Sequence, residues 1–144
     1  MTRSAPVVCV AAVWQMDDAL VLVRSVTGPG IAHWRLPGGA VHPGESLAEA
    51  VVRTTGNDTG AEGLCGPFLG WIEGVDDDVH TLTMCFEAVV LDPLVPDATG
   101  AMPTGAAGAP AEVRLTPTWE VTEVRLGPGL AEFLADHDLI ELVI

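Results

Sequence analysis

The chain has 144 residues, 49% apolar and 18% charged, which suits one folded domain with a single core and excludes a disordered chain. Twenty Asp and Glu against six cations give a formal net charge of −14, and the cations Arg3, Arg24, Arg35, Arg53, Arg114 and Arg125 are scattered. Nucleic-acid backbones and anionic membrane surfaces need clustered cations, so neither is expected as a partner; the acidity confers solubility and attracts cations.

Taken in chain order, Pro6 to Gln15 carries the β-rich run VVCVAAVWQ. Asp17-Asp18 follows as a turn and Ala19 to Arg24 as a second strand, which together predict a hairpin. Gly28-Pro29-Gly30 reads as a loop leading to Trp34-Arg35-Leu36-Pro37-Gly38-Gly39, and Pro43-Gly44 marks another turn. Ser46-Leu47-Ala48-Glu49 has the form of a capping box. It predicts a helix from Leu47 to about Asp58, stopped at Gly60, with Leu47, Ala50, Val51 and Thr54 facing the core. Gly56 inside this helix costs about 1 kcal/mol relative to Ala.

Leu64 to Glu73 and His80 to Leu91 read as strands, with Asp76-Asp77-Asp78 a solvated turn between them. Asp92 to Ala111 is rich in Pro, Gly and Ala and reads as a loop. Thr118 to Val124 reads as a last strand, Pro128 to His137 as a helix, and Leu139 to Ile144 as a short apolar end. The order indicates an α/β sandwich with a mixed sheet. No apolar run approaches the roughly 18 residues that span a bilayer. Nor do the first residues follow a signal-peptide pattern, so the expected location is cytoplasmic. Cys9, Cys65 and Cys85 form no CxxC pair and read as buried thiols rather than a disulfide framework. No His pair has metal-ligand spacing, which argues against a zinc site.

From Gly39 to Ala61 the chain resembles the Nudix box, whose family pattern is G-x5-E-x7-R-E-U-x-E-E-x-G-U, with U a bulky aliphatic. Gly39, Glu45, Arg53 and Gly60 fall on its register. The approach Trp34 to Gly39, the strand from His80 to Phe86 and Trp119 in a late strand also resemble the family. The resemblance implies an α/β fold, a Nudix-like α/β/α sandwich with a mixed β-sheet. It also implies a small-molecule substrate or ligand, Mg²⁺ or Mn²⁺ as cofactor, and a homodimer as one assembly.

In the family the box presents carboxylates to the ions, which neutralise a diphosphate and activate water. Here those positions hold Thr54, Asn57 and Asp58, and the box's aliphatic positions hold Thr55 and Ala61. At about 4 Å and a dielectric near 20, each lost unit charge forfeits roughly 8 kcal/mol of gross attraction to a divalent ion, of which desolvation returns much. By resemblance Asp58, Asn57 and Glu112 are candidate metal ligands. Glu45, Arg53, Asp58 and His42 are candidate catalytic residues, and Gly38, Gly39 and Trp34 candidate ligand-binding residues. Each also has a plain reading: Asp58 as a helix-end carboxylate, Glu45 and Arg53 as structural, His42 as an exposed loop residue, and Trp34, Trp71 and Trp119 as core or pocket-wall aromatics.

Three functions remain open on the sequence. One is a hydrolase of nucleoside-diphosphate-linked or related diphosphates. Another is a non-catalytic module binding a small molecule or a partner. The third is a metal-independent enzyme of a biosynthetic pathway, using His42 or Glu45 as acid or base.

Overall fold

The first strand, β1 (Val7–Val13), is apolar throughout, and its second half, Val10–Val13, is buried on both faces while Val7 and Val8 are exposed. Val10 and Ala12 pack with Ala50 and Val51 of helix α1 (Leu47–Thr59). Ala11 and Val13 point the other way, into a core with Leu130, Phe133 and Leu134 of helix α2 (Leu130–Asp136). A strand buried on both faces loses the apolar-polar alternation of a half-exposed one. The computed structural model describes residues 5–16, 18–27, 31–76, 79–91, 112–127 and 129–140. Within them β2 is Gln15–Met16, β3 Ala19–Thr27, β4 Ile31–Arg35, β5 Gly38–Ala40, β6 Gly63–Asp76, β7 Val79–Val90 and β8 Glu112–Pro117.

Two four-stranded sheets result. The first runs β5-β1-β7-β6 and is mixed: β1 is parallel to β7, with Cys9 opposite Thr83, while β5 and β6 are antiparallel to their neighbours. The second is antiparallel and centred on β3, which pairs with β2, β4 and β8. Helices on opposite sides of the first sheet give the expected mixed α/β sandwich. The expected hairpin is shorter than anticipated, because β3 pairs with β2 whereas β1 belongs to the other sheet. Its parallel partner β7 lies some seventy residues away along the chain, as the pairing of Val7 with Thr81 records.

Helix α1 starts and stops where its sequence signals place it. The Ser46 hydroxyl accepts from Glu49 N–H at 3.1 Å, and Gly60, at φ 75°, closes the end by donating to Gly56 O at 2.8 Å. Only glycine takes that left-handed conformation at no steric cost. Its buried face holds Ala50, Val51, Thr54, Thr55, Asp58 and Thr59, whereas Leu47 is exposed.

The last strand is displaced from its expected span. β8 ends at Pro117, and Thr118–Val124 forms a turn and a 3₁₀ segment, Val121–Glu123. Thr118 N–H donates to Asp18 O, and Val121 is the member of that segment that enters the core. Helix α2 is shorter than Pro128–His137. Asp17 of the expected first turn, the expected loop Gly28-Pro29-Gly30, Asp77, Asp78, the whole expected loop from Asp92 to Ala111, Pro128 and the end after Ile140 lie outside the described residues.

Candidate functional site

The Trp34–Gly39 stretch crosses from β4 to β5 and forms one wall of a cavity of about 660 Å³. On β4, His33 and Arg35 line it, and the alternation of a strand turns Trp34 to the other face. There the Arg114 guanidinium lies 5.9 Å from the centroid of the Trp34 ring. Leu36, Gly38 and Gly39 continue the wall, Cys9 to Ala11 of β1 form its floor, and Thr81, Thr83, Ile72 and Val75 close it from β7 and β6.

Among the described residues this wall holds no Asp or Glu, in a chain where carboxylates outnumber cations twenty to six. The charged or titratable side chains among its described residues are Arg35, His33 and the Cys9 thiol. Burial, and then the nearby Arg35 and Arg125, hold His33 below the usual imidazole range. Burial raises the Cys9 thiol. A shallower depression of about 420 Å³ between β6 and α2 is different, because Glu73, Glu132 and Asp136 line it.

The residues of the box divide into two clusters. In one, Arg53 of α1 donates through Nε to Glu45 Oε2 at 2.8 Å and through Nη2 to Glu45 Oε1 at 2.9 Å. Arg53 Nη2 also donates to Ala40 O at 2.8 Å, and the His42 N–H donates to Glu45 Oε1 at 3.0 Å. The cluster ties the turn after β5 to the helix. The Arg53 hydrogen bonds, then that of His42, bring the Glu45 carboxyl down to about 2. The His42 ring is exposed, and neither His42 nor Glu45 lines the cavity.

In the other cluster Asp58 is nearly buried, its side chain 10% exposed. Asp58 Oδ2 accepts from Arg35 Nη1 at 2.9 Å and from Gly38 N–H at 2.9 Å. Arg35 Nη1 also donates to Leu36 O at 3.0 Å. Thr54 Oγ1 donates to Ala50 O at 2.7 Å, and its methyl faces Gly39, where an added Cβ would lie 3.3 Å away. Asn57 is exposed. Glu112 sits on β8 opposite Arg24 and pairs with Arg114 at 3.3 Å, away from the cavity wall. Among the described residues no three His, Cys, Asp or Glu form a group able to hold a metal ion.

Of the expected ligand-binding residues, Gly38 and Gly39 line the cavity and Trp34 does not. Trp71 and Trp119 are exposed, at 63% and 68%; Trp71 is a wall residue of the shallower depression, whereas Trp119 lies in the turn after β8. Sequence reasoning missed His33, Arg35, Thr81 and Thr83. Alternation on β4 and β7 was the signal that pairs 33 with 35 and 81 with 83 on one face.

A family model described as NUDIX domain matches residues 3–136. No curated protein matches the chain. Among solved structures, a NUDIX hydrolase from Nitrosomonas europaea is similar with a TM-score of 0.76 at 20% identity, over 96% of this chain and 98% of that one. A MutT protein from Methanosarcina mazei Go1 gives 0.75 at 22% identity, over 96% of each. The NUDIX domain of Shewanella oneidensis NrtR, complexed with ADP ribose, gives 0.68 at 22% identity, over 94% of this chain and 88% of that one. At these identities the likeness is one of fold. No described helix is long and apolar enough to cross a membrane.

Proposed function

The chain belongs to the Nudix family, and on that premise we propose that its larger cavity binds a small phosphorylated organic molecule of the nucleoside-diphosphate-linked class. The observation that carries this reading is that Arg35 and His33 line the cavity while none of its described lining residues is a carboxylate. A volume of about 660 Å³ lies within the range of small-molecule sites. The apolar surfaces of Val10, Leu36, Ile72, Val75, Val79 and Leu130 suit a flat or apolar body. Thr81, Thr83 and Arg35 offer hydrogen bonds to an anionic end.

The donor set does not fit a resident Mg²⁺ or Mn²⁺. Asp58 is already bonded to Arg35 and Gly38, the Thr54 hydroxyl bonds its own helix, and no second carboxylate lies in the set. Mg²⁺ takes six oxygens in near-octahedral geometry, one or two of them from carboxylates and the rest from waters or substrate phosphates, and the one carboxylate of this set is committed to a guanidinium.

Calorimetric titration with AMP, ADP and ADP-ribose tests the reading. Saturable binding of at least one is expected, and Thr83→Trp, which fills the cavity, should abolish it. Binding that survives Thr83→Trp would place the ligand elsewhere.

A second reading is hydrolysis of the diphosphate link with an ion carried in by the substrate's own phosphates. The intact Glu45–Arg53 pair favours it. Turnover of ADP-ribose with Mn²⁺ that vanishes in Asp58→Ala would establish hydrolysis, and equal background in both proteins would remove it.

A further inference from the structure

At the head of the cavity, oxygens that would suit a cation converge on one nitrogen. Arg35 Nη1 lies 2.9 Å from Asp58 Oδ2, 3.0 Å from Leu36 O and 3.4 Å from Gly38 O. Arg35 Nη2 reaches Asp58 Oδ1 at 3.5 Å. The carboxylate is further held by Gly38 N–H at 2.9 Å. A guanidinium carries five N–H donors in a fixed fork. One nitrogen is spent on this oxygen set, which leaves Nε–H and part of Nη2 for another acceptor. The Arg35 side chain is 31% exposed and lines the cavity, so part of it is open to a ligand there.

We propose that Arg35 is the resident cation of this site and takes the place of a divalent ion, so that the cavity binds the phosphate group of its ligand without metal. The proposal rests on the ligand reading above and adds where the positive charge comes from. An exchangeable divalent ion would have to evict a tethered guanidinium from three oxygen partners, with one carboxylate to attract it. Asp58 then serves as a positioning residue: it fixes the fork, and it also subtracts one unit of charge from the site. That balance predicts an effect opposite to the one expected of a metal ligand. Neutralising Asp58 removes competition for the guanidinium, and an amide oxygen still accepts from it, so anion affinity rises.

The test titrates ADP into wild type, Arg35→Gln, Arg35→Lys and Asp58→Asn, each with EDTA and with millimolar Mg²⁺, alongside Mn²⁺ alone followed by electron spin resonance. Expected for wild type are dissociation constants equal within about twofold in the two conditions and no saturable Mn²⁺ binding. Arg35→Gln should weaken ADP at least about tenfold in EDTA, and Arg35→Lys should fall between, because it keeps the charge and loses the fork. Asp58→Asn should tighten ADP severalfold in EDTA. Thermal unfolding of each variant separates lost affinity from lost structure, and Arg35→Lys keeps the test informative where Arg35→Gln does not fold.

ADP binding that requires Mg²⁺, or saturable Mn²⁺ binding lost in Asp58→Asn, would overturn the proposal and leave the cavity reading standing. Absence of ADP binding in both conditions would overturn the proposal. Absence for AMP and ADP-ribose as well would overturn the cavity reading with it.

Discussion

Thr55 occupies a position where the Nudix box has a bulky aliphatic residue, and its environment remains apolar enough to make the hydroxyl a liability. It is 3% exposed, and Oγ1 has no hydrogen-bond partner among the described residues. A buried hydroxyl left unpaired costs about 1–3 kcal/mol. Thr55→Val exchanges it for a methyl of similar shape in a residue of comparable helix propensity. The expected gain is therefore about 1–3 kcal/mol. For a domain of this size that corresponds to a rise in Tm of roughly 3–4 °C per kcal/mol.

Two neighbours on the same helix act as controls. Thr54 Oγ1 donates to Ala50 O at 2.7 Å. Thr59 Oγ1 donates to Thr55 O at 2.7 Å and accepts from Ala61 N–H at 3.1 Å. Their valine variants should lose about 1 kcal/mol, Thr59 more than Thr54 because two bonds go. Urea unfolding of the three variants, with the denaturant slope checked for constancy, gives the comparison. A Thr55→Val protein no more stable than wild type, or less so, would refute the reasoning: the hydroxyl would then have a partner and the helix face a different orientation.

Gly38→Ala should be severe, because a Cβ there would meet Val10 O at 2.1 Å; the expected loss is about 1–3 kcal/mol or failure to fold. Gly39→Ala meets only the Thr54 methyl at 3.3 Å and should cost less, which paired urea titrations would show. Glu45 has its folded-state pKa lowered from 4.5 to about 2, so its stabilisation is present above pH 4.5 and is lost as pH falls through about 2. The stability difference between wild type and Glu45→Gln should accordingly shrink across that window when unfolding midpoints are measured from pH 2 to 6. Cys85 is buried, with its thiol pushed up to about 12; in the native protein at pH 8 it should react with a disulfide reagent after Cys9 and Cys65, and all three should react together in denaturant.

Signals local in the chain translated well into structure. Ser46 and Gly60 bound helix α1, and the register from Gly39 to Gly60 marked the family. Pairings between distant segments did not. β1 looked like half of a hairpin because its partner β7 lies far along the chain, and Thr118–Val124 alternates like a strand while β3 already has β8 along that edge. Asp58 illustrates the same limit at the site. Its position on the helix was legible, but the partner that engages it, Arg35, stands 23 residues away on another element. Spacing within the helix carries no trace of that contact.

The long strand β6 ends the first sheet, and Phe68, Trp71 and Val75 along it are 51%, 63% and 73% exposed. An apolar border strand of this kind invites other chains to add to it. Mutual repulsion between molecules of charge −14 opposes such sticking, and the strand's own sequence includes Glu73 and Asp76. Pro67 and the bulges beside it blunt part of the edge, but the colloidal share of the protection fades where the charge does. Near the isoelectric point of about 4.3, or in concentrated salt that screens the charge, the same border should drive clouding of the solution well before the fold itself gives way.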